Sequence, residues 1–325
     1  MRMTGVQISS GPLFNFKIQI IIMDVVIGKS DFSKKLADGI QAKFIKYDTS
    51  VFPDGEIKPK LETEKVIEGK KVLIVSRTER TEPSINNTIL ETFFIASLVK
   101  ELGATEINLL IPYMFYSRQD KRFLTGEPKS LLNIAEMYEG LGIKNLFTIN
   151  SHLFGKEKDS LQDFFNHAKV HDISPAQLLS EHLKTKQLED PIVIGPDKGT
   201  EKMIKELSNL IGGSFEFLQK QRYHTTGEIT IQLPSKDLKD RDVIIYDDVA
   251  ASGGTICKTF DLVKEKNPRK IYIALPHIVT KKGIDKLKSL DCEIITTDSF
   301  ISEEKIFIEL SLIPLISKYL KKSFL

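Results

Sequence analysis

Two adjacent carboxylates that run into a loop of small residues are the clearest chemical signal in the sequence. They follow the apolar run Val243–Tyr246, and the signal comprises Asp247, Asp248, Ala251, Ser252, Gly253, Gly254 and Thr255. Small residues let backbone N–H groups converge on phosphate oxygens, and the apolar spacing from Ile256 onward predicts a helix whose N-terminus adds its dipole. The carboxylates would repel phosphate but suit sugar hydroxyls or Mg²⁺. The motif predicts a site for a phosphorylated sugar, and its spacing matches neither the dinucleotide nor the P-loop glycine pattern.

Composition limits the kinds of protein that this chain can be. It has 325 residues, 41% of them hydrophobic, which predicts a sizeable core and about two domains. The 46 basic and 44 acidic residues are interspersed, so we expect neither a nucleic-acid partner nor a membrane anchor. The two isolated cysteines, Cys257 and Cys292, predict a reducing, cytoplasmic environment.

Short apolar runs alternate with segments of helical period, which is typical of βαβ units around a parallel sheet. The helical segment Asn87–Leu102 ends at Gly103, and Leu310–Leu320 predicts a last helix. The stretch Ile18–Ile27 is too short to span a membrane and predicts a buried strand. The predicted strands are Val72–Val75, Ile107–Ile111, Leu146–Ile149, Ile192–Ile194, Val243–Tyr246 and Ile271–Leu275.

An internal repeat predicts that the chain contains two similar α/β domains. The segment from Ala104 to Tyr113 echoes that from Pro268 to His277, and each follows a strand and a helix. The alternative is that two parallel strands merely look alike. The predicted division is an N-terminal extension or over-long start at 1–22, domains at 23–165 and 166–305, and a C-terminal helix at 306–325.

Five segments in this order resemble the ribose-phosphate pyrophosphokinases, in a form similar to the archaeal members. They are Phe52–Glu56, Pro112–Arg122 with Gly126–Pro128, Ile149–His152, Gly195–Gly199 and the opening loop. The resemblance covers nearly everything from Met23 onward. It implies two phosphoribosyltransferase-like domains, each a mostly parallel sheet flanked by helices, and the synthesis of phosphoribosyl pyrophosphate (PRPP) and AMP from ATP and ribose 5-phosphate.

The resemblance also implies a role for each matching residue. Phe52, Asp54 and Glu56 would hold adenine across a subunit interface of a homo-oligomer, a dimer or larger up to a hexamer, although Pro53–Gly55 also predicts a plain turn. Arg118 and Gln119 would bind ATP, or belong to an ordinary solvated basic turn. Ribose 5-phosphate would lie on Asp247, Asp248 and Ala251–Thr255.

Metal binding and catalysis are assigned by the same resemblance. His152 and Asp197 would hold Mg²⁺ or phosphate. Asp197 is the better match, because Mg²⁺ prefers oxygen ligands, whereas a lone histidine such as His152 is often structural. Lys220 and Arg222, at the root of a loop at Tyr223–Glu228, would stabilise the transferring phosphoryl group, unless the loop is simply basic.

Three positions depart from the family's pattern: Asn150 where an aspartate is common, Ala251 where many members have an acid, and Lys198 where small residues are usual. Two alternatives stay open, the first because of these departures and the second because the loop is shared with another class of enzyme. One is a weakly active or regulatory subunit of such an enzyme. The other is a phosphoribosyltransferase, which needs the loop after Tyr246 but not the segment at Arg118.

Overall fold

Two open sheets, one from each half of the chain, form the framework of the protein. A computed structural model describes residues 22–78, 84–156, 160–222, 229–232, 235–301 and 306–324. Among these residues, no helix is long and apolar enough to cross a membrane.

The first sheet has seven strands in the order β3-β2-β1-β4-β5-β6-β7. The strand β3 runs antiparallel to β2, and the other neighbours are parallel. The strands are β1 (Val25–Gly28), β2 (Lys43–Val51), β3 (Ile57–Leu61), β4 (Lys71–Val75), β5 (Glu106–Leu110), β6 (Ile143–Ile149) and β7 (Lys169–Ile173). Its helices are α1 (Asp31–Ile40), α2 (Ser84–Glu101) and α3 (Ser130–Gly140).

The second sheet is parallel throughout its six strands, in the order β17-β16-β14-β12-β8-β9. Two small pairs, β10 with β11 and β13 with β15, lie beside it. The strands are β8 (Ile192–Gly195), β9 (Ser214–Phe217), β10 (Gln219–Arg222), β11 (Ile229–Gln232), β12 (Asp242–Tyr246), β13 (Val249–Ala250), β14 (Lys270–Leu275), β15 (His277–Ile278), β16 (Glu293–Thr297) and β17 (Ile308–Leu310). The helices are α4 (Ala176–Lys184), α5 (Glu201–Ile211), α6 (Gly254–Lys264), α7 (Lys281–Leu287) and α8 (Ile313–Ser323).

The two sheets repeat one strand order, which confirms the predicted pair of similar domains. The order β2-β1-β4-β5-β6-β7 in the first corresponds to β9-β8-β12-β14-β16-β17 in the second. The echoing segments supply β5 and β14, which occupy the same place in their sheets. Individual residues of the two domains also correspond, because equivalent strand pairs, such as β1 with β4 and β8 with β12, have the same register.

The predicted elements are confirmed with two corrections. All six predicted strands fall on observed ones, and α2 ends before Gly103, whose positive φ of 81° suits glycine. The strand predicted within Ile18–Ile27 begins only at Val25, and residues 18–21 lie outside the described part. Leu310 was wrongly placed in the last helix. It ends β17, and α8 begins at Ile313 because Pro314 fits the first turn of a helix but cannot continue the ladder of a sheet.

The apolar runs are continuous because both faces of each sheet are covered by helices. In β1, Val25 and Ile27 face the cluster formed with α2 and α3, while Val26 faces the cluster formed with α1 and α8. The second sheet is covered in the same way, by α6 and α7 on one face and by α4 and α5 on the other.

The two domains are also linked by exchanged helices. After β7, the chain enters α4, which packs on α5 of the second domain; after β17, it enters α8, which packs on α1 of the first. The approach of α8 is close, since a Cβ at Gly39 would lie 2.8 Å from Ser317 Oγ. The division at 165/166 stays a prediction, and β7, which follows it, pairs with β6 of the first sheet.

Candidate active site

The turn after β12 carries the carboxylates and the loop of small residues into α6, as the sequence predicts. Gly254 begins the helix, and Gly253 precedes it with a positive φ of 72°. A Cβ at Gly253 would lie 3.3 Å from the carbonyl oxygen of Gly283, so the loop is packed against α7. Ile256, Phe260 and Val263 bury the inner face of α6 and fix its N-terminus at the end of the sheet.

The two carboxylates are unequal. Asp248 Oδ2 lies 2.6 Å from Nδ1 of His152, and the backbone N–H of Asp248 donates to Asp247 Oδ1 at 2.9 Å. Burial and the neighbouring Asp248 raise the pKa of Asp247 well above its usual value. Burial also opposes ionisation of Asp248, but the hydrogen bond and charge of His152 outweigh it and lower the pKa of Asp248. The site therefore holds one carboxylate that His152 compensates and one whose charged form is disfavoured by burial and by its neighbour.

His152 reaches this pair from the first domain, where it follows β6. Asp172 on β7 fixes the turn, because it accepts hydrogen bonds from Ser151 N at 3.0 Å and from Ser151 Oγ at 2.6 Å. Burial raises the pKa of Asp172 to about 6 despite those bonds. Asn150, two residues before His152, is buried with a positive φ of 43°. The nitrogen and oxygen of its side-chain amide have no hydrogen-bond partner in the described part of the chain.

Asp197 follows β8 and caps a short 3₁₀ turn, Lys198–Thr200. Its Oδ1 accepts from the Gly199 N–H at 2.9 Å, and its carbonyl accepts from Thr200 Oγ1 at 2.6 Å. The preceding Gly195 has to be glycine, because a Cβ there would lie 2.0 Å from Thr200 Oγ1. Lys198, one of the departures from the family pattern, is exposed and does not line the cavity described next.

One cavity of about 390 Å³ lies between the domains and collects most of the expected residues. It is lined by Arg118, His152, Asp197, Asp247, Asp248, Ala251, Ser252, Gly253, Gly254 and Thr255. Sequence reasoning missed Ser151, Phe154, Lys156, Thr200 and Met203, which line it as well. Of these, Lys156 had a signal, since a lysine four residues after His152 can reach the same cavity. Met203 and Phe154 gave none, because apolar residues at such positions normally mark the core.

Gln119 does not line this cavity. Its Oε1 accepts a hydrogen bond from Ser130 Oγ at 2.7 Å, at the start of α3. Phe52, Asp54 and Glu56 are also elsewhere, on the exposed turn between β2 and β3, where Phe52 is 45% exposed and Asp54 Oδ1 accepts from the Glu56 N–H at 3.1 Å. Their expected role in ATP binding stays a prediction.

Lys220 and Arg222 lie on β10, which pairs antiparallel with β11. The structure describes only the backbone at these positions, and the loop at 223–228 lies outside the described residues. The β10–β11 hairpin lies where the family resemblance implies the root of a catalytic loop. Its catalytic role stays a prediction.

The fold and the cavity define a class: a two-domain protein in which each domain has the phosphoribosyltransferase fold. Residues 23–142 match the model of the N-terminal domain of ribose phosphate pyrophosphokinase, and residues 169–306 match that of the phosphoribosyl transferase domain. The chain belongs to the ribose-phosphate pyrophosphokinase family.

Similar proteins support this assignment. A ribose-phosphate pyrophosphokinase of Methanosarcina acetivorans is 31% identical over 83% of this chain and 89% of its own. That of Saccharolobus solfataricus is 28% identical over 80% of this chain and 86% of its own. The crystal structure of the phosphoribosylpyrophosphate synthetase of Mycobacterium smegmatis has the same fold, with a TM-score of 0.79 and 21% identity over 93% of this chain and 99% of that one. The archaeal relatives agree with the expected archaeal-like variant.

Proposed function

We propose that the protein transfers the β,γ-pyrophosphoryl group of ATP to the C1 hydroxyl of ribose 5-phosphate, giving PRPP and AMP. The observation that carries this proposal is a cavity between the domains to which both contribute. It joins a sugar-phosphate loop from the second domain to Arg118 and His152 from the first. A phosphoribosyltransferase would need the loop alone.

Ribose 5-phosphate fits the second-domain side of the cavity. The N–H groups of Ser252–Thr255, at the N-terminus of α6, suit the 5-phosphate. Asp247 and Asp248 accept hydrogen bonds from the ribose 2- and 3-hydroxyls, which orients the C1 hydroxyl towards the first domain. Ala251 adds neither charge nor bulk to the loop.

The phosphates of ATP fit the opposite side. Arg118 offers a planar, permanently charged fork to their oxygens, and Lys156 lies at the same wall. In the reaction, the C1 oxygen bonds to the β-phosphorus, the bridging oxygen leaves with AMP, and the hydroxyl proton is released. Lys220 and Arg222 stabilise the charge that spreads over the transferring oxygens.

The donors around the cavity fit Mg²⁺ that arrives with ATP. No three acidic, histidine or cysteine side chains in the described ranges form a metal cage by themselves. That suits Mg²⁺, which keeps waters and substrate phosphates and needs only one or two protein ligands. Asp197 and His152 are the residues that would hold it, and the ion would neutralise phosphate charge. Asp247 lines the same cavity, and a cation bound there would offset the burial and the neighbouring Asp248 charge that raise its pKa.

A direct assay tests the proposal. The purified protein is incubated with ATP, Mg²⁺ and ribose 5-phosphate, and AMP and PRPP are quantified together. We expect both products in a 1:1 ratio, because each transfer releases one AMP. ATP binding without AMP would favour a regulatory subunit. Consumption of added PRPP with a nucleobase, without AMP formation from ATP, would favour a phosphoribosyltransferase.

Asn150 is the observation that favours the regulatory alternative. Its buried amide leaves the wall next to His152 one negative charge poorer than an aspartate would. Asn150→Asp tests this difference. If the missing charge limits activity, turnover at low Mg²⁺ rises in the variant; if it does not, the Mg²⁺ dependence of turnover stays unchanged.

A further inference from the structure

Because the two domains share strand order and register, cavity residues that directly follow a strand have counterparts in the other domain. Val72 pairs with β1 as Val243 pairs with β8, so Arg77 after β4 corresponds to Asp248 after β12. The registers of β6 and β16 likewise relate His152 to Phe300. Gly28 and Ser33 repeat the contact of Gly195 and Thr200, which relates Ser30 to Asp197. We call Ser30, Arg77 and Phe300 the counterpart site.

Both places bridge the domains, but through different groups. In the active cavity, the bridge is the hydrogen bond between Asp248 and His152. In the counterpart site, Arg77 Nη2 donates to the carbonyl oxygens of Asp298 at 2.6 Å and Phe300 at 2.8 Å. Arg77 also lies over the ring of Phe32 at 4.3 Å and donates from Nη1 to Ser30 Oγ at 3.3 Å.

The two bridges respond differently to ligands. A carboxylate and an imidazole are metal and hydroxyl ligands, so substrates compete with the bond between Asp248 and His152. A guanidinium is always charged, and backbone carbonyls receive its hydrogen bonds without competition from the substrates. The hydrogen bonds of Arg77 at the counterpart site should therefore persist when substrates bind.

We propose that Arg77 is a positioning residue that anchors the two domains at the counterpart site. The domains then stay aligned when ligands replace the hydrogen bond between His152 and Asp248. The kinetic part of this inference rests on the proposed function. Further contacts beside it belong to the same anchor: the Ile301 N–H donates to the Thr78 carbonyl at 2.8 Å, and the ring of Tyr113 lies 5.1 Å from that of Phe300.

Steady-state kinetics of Arg77→Ala provide the first test. Loss of the anchor lowers the fraction of molecules whose domains are aligned before binding, and an apparent dissociation constant rises in inverse proportion to that fraction. We expect the KM values for ATP and for ribose 5-phosphate to rise together by about tenfold, while kcat at saturation stays within about threefold. Arg77→Lys, which keeps the charge but not the fork, should recover part of the loss.

Hydrogen exchange without ligands provides a second test that does not depend on activity. In Arg77→Ala, the Ile301 amide should exchange about tenfold faster, because its bond to Thr78 lies beside the lost anchor. The matched control is Arg241→Ala. Arg241 bonds to Asp190 and Ser214 within the second domain, so its loss should lower the melting temperature without changing either KM or Ile301 exchange.

Two results would overturn the proposal. One is an Arg77→Ala protein that melts earlier but keeps wild-type KM values and Ile301 exchange, as Arg241→Ala should. The other is a fall in kcat with both KM values unchanged, which would make Arg77 part of the chemistry. If the wild type shows no transfer at all, the proposed function fails, and the exchange comparison alone decides the role of Arg77.

Discussion

The turns after β4 and β12 occupy the same place in their domains but carry opposite chemistry. After β12, Asp247 and Asp248 face a cavity, and burial together with the neighbouring Asp248 raises the pKa of Asp247. After β4, Ser76 at the position of Asp247 bonds to Thr92 Oγ1 at 2.7 Å in the core, and Arg77 bonds to backbone carbonyls. Under the proposed function, one copy keeps polar groups for ligands, whereas the other uses them within the structure. A repeated fold thus fixes where chemistry can be placed, while side chains decide which copy performs it.

The hairpins extend the same comparison. The first hairpin is formed by β2 and β3, and its turn carries Phe52. The second, β10–β11, carries Lys220 and follows β9, the strand that corresponds to β2. If both hairpins act as expected, they have different roles in the reaction: the β2–β3 hairpin holds the adenine base, and the β10–β11 hairpin stabilises the transferring phosphate. The following predictions test this division of roles, in order of decreasing effect.

Lys220→Ala should have the largest effect, a fall in kcat of about 10³-fold or more, because the cation acts on charge that develops in the transition state. ATP affinity, measured by calorimetry, should change little. Lys239→Ala, which removes an exposed lysine of the same domain, is the control. An equal loss of binding and rate would show that Lys220 holds ground-state ATP instead.

Asp247→Asn and Ser76→Ala compare the two corresponding turns directly. Asp247→Asn should lower kcat/KM for ribose 5-phosphate by about 10²-fold or more, because the proposed acceptor of a ribose hydroxyl loses its charge. Ser76→Ala should leave kcat/KM unchanged and lower the free energy of unfolding by about 1 kcal/mol, since it removes the hydrogen bond to Thr92. Similar losses of activity in both variants would break the comparison.

Asp172 makes the stability of the turn before His152 depend on pH. Because its pKa is raised to about 6, the native state keeps a proton that the unfolded chain releases near pH 4, so the free energy of unfolding falls as pH rises between these values. Asp172→Asn should remove this component, at most about 3 kcal/mol, from urea-unfolding curves. Asp38→Asn, at an exposed position of α1, should follow the wild-type pH dependence. Parallel curves for wild type and Asp172→Asn would refute the linkage.

Phe52→Ala should have the smallest effect. The exposed ring offers a stacking surface for adenine, and its loss should raise the KM for ATP by about tenfold while the KM for ribose 5-phosphate stays constant. Val51→Ala, at the neighbouring exposed position, is the control. A rise in both KM values would show that the substitution disturbs the fold as a whole and not adenine binding alone.

Much of this architecture can be predicted from sequence because its signals are local. Continuous apolar runs predict both sheets, and the echo between β5 and β14 predicts their duplication. The loop at Asp247 was found because small residues and paired acids are rare together at a strand end. Asp172 and Arg77 could not be found, since their partners lie on strands and loops distant in sequence. Leu310 was misassigned because an apolar residue before a helix gives no sign of a short edge strand.

The exchange of helices bears on how the protein is made. A ribosome completes the first domain's strands long before it reaches α8, the helix that covers Leu36 and its neighbours on α1. Until α8 is made, α1 packs on the strands of its own sheet, and the part of this apolar cluster that α8 covers stays exposed in the nascent first domain. Because α8 follows every strand of the second sheet along the chain, the first domain is covered only after the strands of the second have been synthesised.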